Sequence, residues 1–145
     1  MEDGKKIGVE VKKLSNLIKR RHMKTCSETN AEKIGAGGFI IGFVAESDRS
    51  VYQKDIEKEF KIRRPTATAM LKRLEAEGFL TRVGIDGDKR LKRIVLTEKA
   101  VKIHEDFTLR AKKTEDELRS VLTESEGEEF LSIIYKLHSR LEKND

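Results

Sequence analysis

The chain begins and ends with segments whose apolar residues recur at helical spacing. Residues 5–24 predict an amphipathic helix with apolar positions at Ile7, Val11, Leu14 and Ile18. A long helix is predicted from its cap, Thr97, to about Leu122, with an apolar seam at Ala100, Ile103, Phe107, Ala111, Thr114, Leu118 and Val121. Ser125 and Glu128 predict a capping box for a last helix. The small middle part of the chain cannot cover these apolar stripes, which indicates partner helices, most simply those of a second copy.

The middle of the chain predicts three shorter helices. Residues 30–46 are apolar, which indicates a buried helix, but they contain four glycines, which are unfavourable in a helix and mark a bend or a close helix contact rather than a phosphate-binding loop. A short helix over 52–60 and a turn follow. The next helix starts at Pro65, which suits the first position because it lacks an N–H, and Gly78 ends it.

After this helix the apolar period changes from helical to two. Residues 79–85 predict a strand, the sequence from Asp86 to Asp88 is a turn signal, and residues 93–96 predict the returning strand. Helix, turn, helix and hairpin in this order form a winged helix-turn-helix. We therefore predict a mainly α fold with a small β-hairpin wing (α+β class).

Charge is divided unevenly along the chain, whose formal net charge is +5. Residues 52–96 hold 12 basic and 7 acidic side chains, whereas residues 97–145 hold 9 and 12. A basic block in an otherwise balanced chain indicates a polyanionic partner, although a solvated helical face gives the same pattern.

Aromatic residues make up 6% of the chain and Trp is absent, which argues against an aromatic-lined enzyme cavity.

Several classes of protein are excluded at this stage. The single cysteine, Cys26, cannot form an intrachain disulfide and fits a reducing compartment. The longest apolar stretch, 38–45, is far shorter than the roughly 20 residues of a membrane span, and the first residues lead into no apolar signal segment. The dispersed histidines form no zinc motif, and no catalytic constellation stands out. We expect a cytoplasmic protein without metal or cofactor that is not an enzyme.

The second helix of the predicted motif would place its first turn in the DNA major groove. Its small and hydroxylated residues let the backbone approach closely, and threonine hydroxyls bond base edges or phosphates. Arginines just before it reach phosphates or a guanine, and a lysine further along is better placed for the DNA backbone. The candidate contacts are Arg63, Arg64, Pro65, Thr66, Thr68 and Lys72.

The hairpin supplies a second candidate contact. Its tip carries Lys89 and Arg90, and Lys92 follows, which suits the negative potential of the minor groove. We interpret Asp88 as an ion-pair partner that orients the Arg90 guanidinium. The alternative is a surface hairpin with scattered charge.

Two segments resemble a known family. Residues 88–97, DKRLKRIVLT, match the wing motif D-x-R-x-x-x-[VI]-x-L-T of the MarR family of bacterial transcription regulators. Residues 74–82, LEAEGFLTR, look like the helix exit of that family, and the two motifs stand at its spacing. Residues 96–100 resemble the SlyA branch, with Ala100 where most members have Gly.

The resemblance implies a single domain over 1–145, with a DNA-binding lobe at about 30–97 and dimerisation helices at about 1–28 and 98–145. It implies a homodimer on double-stranded DNA with a pseudo-palindromic operator, whose half-sites lie about one helical turn, ~10 bp, apart. Arg90 would enter the minor groove. Family members usually repress, and many release DNA when a small phenolic or lipophilic effector binds. The region that would line such a pocket contains Phe39, Ile40 and Phe43.

Two alternatives remain open at this stage. One is a winged-helix protein–protein adaptor that does not bind DNA, against which the basic helix start and wing argue. The other is a thiol redox-sensing regulator that acts through Cys26, because Lys24 nearby would favour the reactive thiolate. Neither the operator, the regulated genes nor the effector follows from the sequence.

Overall fold

The predicted order of elements is confirmed in the computed structural model, which describes residues 4–24, 37–85 and 87–143. For Met23, Lys24, Asp88 and Lys89 it describes the backbone alone. The described residues form α1 (Ile7–Lys24), α2 (Gly37–Glu46), α3 (Gln53–Phe60), α4 (Arg64–Ala76), β1 (Leu80–Ile85), β2 (Asp88–Leu96), α5 (Glu98–Ser120) and α6 (Glu124–Glu142). The chain divides into two compact units, Met1–Arg110 and Ala111–Asp145. The fold is mainly α with a two-stranded hairpin, as predicted.

The core lies in the first unit, among α2, α3, α4, the hairpin and the start of α5. Removing apolar side chains from water is the main favourable term in folding, and this cluster supplies it. Its buried members are Ile40, Ile41, Val51, Ile56, Leu71, Leu74, Phe79, Leu80, Ile94 and Ala100. The lobe that carries α4 and the hairpin therefore has a hydrophobic core of its own.

Glycines let α2 pack closely against two other helices. A Cβ added at Gly37 would lie 2.6 Å from Cδ2 of Leu74 in α4, and one at Gly38 would lie 2.7 Å from Cε2 of Phe107 in α5. Real Cβ atoms do not approach this closely, so any larger residue displaces a neighbour. The predicted close helix contact is confirmed for these two glycines. Residues 30–36 of the predicted segment lie outside the described residues.

The end of α4 directs the chain into the hairpin. The N–H of Phe79 donates to the carbonyl of Leu74 at 2.9 Å, and the N–H of Gly78 donates to that of Glu75 at 3.1 Å. This is the Schellman pattern, and it requires the positive φ of 79° that Gly78 adopts. The start of α4 differs from the prediction by one residue, because Arg64 begins the helix and Pro65 is second. The missing N–H costs nothing there either, since the first four N–H groups have no partner within the helix.

The two hairpin strands are antiparallel, and their register changes near the tip. Leu80 pairs with Leu96 and Gly84 with Lys92, but Ile85 pairs with Asp88. The register therefore shifts between Gly84 and Ile85, and the regular alternation along β2 is interrupted between Asp88 and Lys92. A single bridge between Val51 and Ile94 joins the start of the α3 region to β2.

The predicted cap of α5 is confirmed, but the predicted capping box of α6 is wrong. The N–H of Ala100 donates to Thr97 Oγ1 at 3.4 Å. α6 is capped by Thr123 instead of Ser125: its Oγ1 accepts from the N–H of Glu126 at 3.2 Å, and Glu126 Oε2 accepts from the N–H of Thr123 at 2.8 Å. Both segments fit the S/T-x-x-E pattern. The earlier one forms because α5 ends at Ser120, two residues before the predicted end, and the connector is short.

No residue of α6 is buried within the chain. Among the helices that the structure describes, none is long and apolar enough to cross a membrane.

Candidate nucleic-acid interface

The starts of α3 and α4 and the wing enclose one groove. Its volume is about 840 Å³, and it is lined by Tyr52, Gln53, Lys54, Glu57, Arg64, Thr68, Arg82, Arg90, Leu91, Lys92 and Ile94. Five of these side chains are basic and one is acidic. Concentrated positive charge in a cleft attracts a polyanion and raises its local concentration. We refer to this cleft as the basic groove.

The structure divides the predicted contacts of α4 between the basic groove and the neighbouring exposed surface. Arg64 and Thr68 line the groove, and Thr68 is half-buried. The others, Arg63, Pro65, Thr66 and Lys72, are exposed but are not among the groove residues. Because the backbone N–H groups at the start of α4 have no partner within the helix, this end of the helix favours an anion.

Gln53, the first residue of α3, is a groove residue that the sequence analysis missed. Its Nε2 donates to Thr68 Oγ1 at 2.8 Å and to the carbonyl oxygen of Arg64 at 3.4 Å. The contact joins residues 15 positions apart in the chain. No local pattern marks such a contact, because it depends on how α3 packs against α4.

The start of α3 is fixed by two independent contacts. The carboxylate of Asp55 accepts the N–H of Tyr52 at 2.9 Å and a hydrogen bond from Arg49 Nη1 at 3.3 Å. On the other side, the N–H of Ile94 donates to the carbonyl of Val51 at 2.8 Å. These bonds hold Gln53 in place between the wing and α4.

Arg82 ties the wing to α4 and was also missed. Its Nε lies 2.7 Å from Glu75 Oε2, with side-chain exposures of 21% and 43% for Arg82 and Glu75. A pair that is partly shielded from water is screened less by salt than an exposed one. The pair orients β1 on α4, while the Arg82 side chain contributes to the wall of the basic groove.

In the wing, Arg90 is exposed, and both Arg90 and Lys92 line the basic groove. Arg90 lies where the register of the two strands shifts, so the regular alternation along β2 does not fix the side on which it lies. The side chains of Asp88 and Lys89 lie outside the described residues. The ion pair that we predicted between Asp88 and Arg90 therefore stays a prediction.

The residues predicted to line an effector pocket lie in two different clusters. Ile40 is buried in the core, and Phe43 packs on that core with its ring edge-on to Phe60 at a centroid distance of 6.0 Å. Phe39 instead contacts the rings of His22 and Phe107, at 5.7 and 5.6 Å. The effector role of these residues stays a prediction.

Cys26, the candidate redox residue, lies outside the described residues.

The ring cluster of His22, Phe39 and Phe107 joins α1, α2 and α5. His22 is 8% exposed, and this burial lowers the pKa of its imidazole below the ordinary 6.5. The imidazole ring packs against the two phenyl rings at tilted and edge-on angles.

Within the described ranges, no group of three or more His, Cys, Asp or Glu side chains is arranged to hold a metal ion.

Comparison with known sequences identifies the same motif region. Residues 39–91 match the sequence profile of the MarR family. An uncharacterized HTH-type transcriptional regulator, YwoH of Bacillus subtilis (strain 168), is 36% identical over 78 residues, which are 54% of this chain and 56% of YwoH. The match with this curated relative thus spans little more than half of its length.

Solved structures resemble the chain over nearly its whole length. The transcription regulator MarR from Oenococcus oeni PSU-1 is 27% identical with a TM-score of 0.74, covering 92% of this chain and 99% of that one. The Staphylococcus aureus MepR–DNA complex is 26% identical with a TM-score of 0.79, covering 95% and 99%. With the wing and helix-exit motifs at the matching positions, the chain has the winged-helix fold of these solved regulators, and its residues 39–91 match the MarR family.

Proposed function

We propose that the chain is a sequence-specific DNA-binding regulator that acts as a homodimer on a pseudo-palindromic operator. The observation that carries this proposal is the basic groove, where the start of α4 and the wing converge with five basic side chains. Neutralising phosphates releases condensed counterions, which supplies most of the sequence-independent affinity for DNA. The similarity to MepR, whose structure is a complex with DNA, supports the same assignment.

In this proposal α4 lies in the major groove with its first turn against the bases. Thr66 and Thr68 contact base edges through their hydroxyl and methyl groups. Arg63 and Arg64 reach phosphates or a guanine, and Pro65 keeps the backbone close to the groove floor. Lys72 contacts the DNA backbone further along the helix.

The wing then reaches the adjacent minor groove. Arg90 enters it, where the negative potential of a narrow groove attracts a guanidinium. Lys89 and Lys92 contact the flanking phosphates, and Asp88 orients Arg90. The register shift near the hairpin tip supports this role, because Arg90 lies outside the regular pairing of the two strands.

The partner in the dimer is a second copy of the chain. Apolar side chains that the chain itself leaves exposed are concentrated on α1 and α6, namely Ile7, Val9, Val11, Leu14, Leu17, Phe130, Leu131, Ile133, Tyr135 and Leu141. Monomeric proteins rarely expose so many on neighbouring turns. We assign dimerisation to about 1–28 and 98–145 and DNA binding to about 30–97. Two lobes then meet half-sites about one helical turn, ~10 bp, apart.

We further propose that the protein represses and that a small phenolic or lipophilic effector releases it from DNA. Phe39, Ile40 and Phe43 are the candidate effector residues, and Phe39 is the one that faces the α1 and α5 side of the lobe. A coupling free energy of about 1–3 kcal/mol between effector and DNA would suffice for such a switch.

The decisive experiment measures fluorescence anisotropy with DNA from upstream of the protein's own coding region and with scrambled DNA, at several salt concentrations. We expect tighter binding to the upstream DNA at physiological salt. If both bind weakly and equally, selection from random DNA follows. A selection that enriches no motif would refute the proposal and favour the protein–protein adaptor.

A further inference from the structure

Gln53 determines the hydrogen-bonding role of one hydroxyl in the basic groove. Its side-chain amide contacts both Thr68 Oγ1 and the carbonyl oxygen of Arg64. A carbonyl oxygen can only accept a hydrogen bond, so the NH₂ group of the amide must face α4. The orientation of the amide is therefore settled by its partners, and Thr68 Oγ1 is the acceptor in the 2.8 Å bond.

A hydroxyl that accepts one hydrogen bond keeps its own hydrogen for another. In a helix, a threonine hydroxyl commonly donates back to the carbonyl four residues earlier, which here is Arg64. Gln53 already donates to that carbonyl, and in the described part of the chain the Thr68 hydroxyl makes no second hydrogen bond. Its hydrogen is thus available to a ligand in the basic groove, which Thr68 lines.

We propose that Gln53 is a positioning residue for base recognition, which makes the Thr68 hydroxyl a hydrogen-bond donor to the operator. In the major groove the acceptors are N7 and O6 of guanine, N7 of adenine and O4 of thymine, whereas cytosine presents only its amino donor. Each half-site should therefore contain one position where cytosine is disfavoured on the contacted strand. This inference rests on the proposed function and specifies one of its base contacts.

The surroundings of Gln53 suit a positioning role. Its backbone lies between the Val51–Ile94 bridge and the Asp55 side chain that caps the start of α3, so the backbone that carries the amide is held next to the wing and at the start of α3. A side chain fixed in this way loses little further freedom when DNA binds, and the geometry is prepared before the contact forms. The hydroxyl of Thr66, by contrast, is exposed and has no such support.

The experiment compares binding-site selection from random DNA for the wild type, Gln53→Met, Gln53→Glu and Thr68→Val. Gln53→Met should relax base preference at one position per half-site by about fivefold, the worth of one neutral hydrogen bond. Thr68→Val should relax the same position, and the double variant should lose no more. Gln53→Glu should shift that position towards bases with an amino donor, because the carboxylate takes the hydroxyl hydrogen and leaves only an acceptor.

The matched control for the added negative charge is Lys54→Gln, which also lowers the charge of the groove by one. It should weaken binding to all sequences alike and leave the base preferences unchanged. Thermal unfolding of every variant checks folding. If Gln53→Met does not fold, the comparison of Gln53→Glu with Thr68→Val gives the same answer, since their predicted shifts at the shared position differ.

Three results would overturn the inference, and in two of them the proposed function stands. If the wild type enriches a motif and both Gln53 variants enrich the same motif unchanged, Gln53 does not position Thr68, while the proposed function stands. The same holds if the position relaxed by Gln53→Met differs from the one relaxed by Thr68→Val. If the wild type enriches no motif, the proposed function fails and this inference fails with it.

Discussion

The winged lobe and the last helix both carry apolar residues at helical spacing, but these residues are buried in the lobe and exposed on α6. In the lobe, Leu71, Leu74 and Phe79 are completely buried. On α6, no residue is buried, and Phe130 and Leu141 remain 45% and 71% exposed. An amphipathic pattern thus identifies an apolar face but not what covers it. The lobe covers its own apolar face, and we propose that a second copy covers that of α6, because leaving apolar area in water costs roughly 25 cal/mol per Å².

The largest effect on the free energy of unfolding is expected from removing a completely buried side chain of the lobe. Phe79→Ala should lower the free energy of unfolding by about 3–5 kcal/mol, through lost transfer free energy and the cavity left behind. Chemical denaturation measures this, and the loss should be the same at every protein concentration. Val83→Ala, at an exposed apolar position of the wing, is the control and should cost under about 1 kcal/mol. A loss below about 1 kcal/mol for Phe79→Ala would contradict the buried core.

The corresponding change on α6 should act on association instead of on the fold of the lobe. Phe130→Glu should weaken the dimer by about tenfold or more, as expected for a charged residue at an aromatic interface anchor. Sedimentation equilibrium measures the dissociation constant. Glu129→Gln alters an exposed neighbour and should leave it unchanged. An unchanged dimer in Phe130→Glu would remove α6 from the proposed interface.

In the wing, a positive charge can be removed without disturbing the packed core of the lobe. Arg90→Ala should reduce DNA affinity for all sequences and make the slope of log K against log salt shallower by about 1 per wing contact, with the fold intact. Anisotropy titrations across a salt series measure both. Lys102→Ala removes the same charge from an exposed position on α5 and serves as the control. Equal slopes in Arg90→Ala and the wild type would exclude a phosphate or minor-groove role for Arg90.

The smallest expected effect concerns the ring cluster that joins α1 to the lobe. Since burial lowers the pKa of His22 in the folded state, the unfolded chain binds more protons below pH 6.5. The free energy of unfolding should therefore be highest above pH 6.5 and fall as the pH drops through that value. His22→Phe should remove part of this decline, whereas His138→Gln, at an exposed histidine on α6, should retain it. Identical pH profiles for His22→Phe and the wild type would contradict the assignment.

Most of the fold was predictable because its signals are local. The single proline, the glycine after α4 and the change from a helical period to a period of two all act within a few residues. They placed the start of α4 within one residue and located the hairpin, although β2 begins at Asp88, five residues before the predicted Arg93. The capping box of α6 was misplaced because Thr123 and Ser125 begin overlapping S/T-x-x-E patterns. The choice between them depends on where α5 stops, which no pattern at the cap reveals.

The basic groove was predictable only in part. Four groove residues were predictable because each lies near the start of a helix or in the hairpin, namely Arg64, Thr68, Arg90 and Lys92. No local pattern marks Gln53 and Arg82 as groove residues. Their partners in α4 are 15 and 7 residues away in the chain and come into contact only when helices and strands pack. Similarly, Phe39, Ile40 and Phe43 are neighbours on α2 yet contribute to two clusters, since the core of the lobe and the α1–α5 side meet different faces of that helix.

By itself, the sequence determined the order of elements, the apolar faces, the basic block and the resemblance to the MarR family. These follow from hydrophobic period, turn chemistry and charge, which act on each segment separately. Only the tertiary structure decided that Gln53 holds the Thr68 hydroxyl, that Arg82 ties the wing to α4 and that no residue of α6 is buried. Hydrogen-bond partners across the fold depend on distances of a few tenths of an ångström, and packing of the whole chain sets those distances.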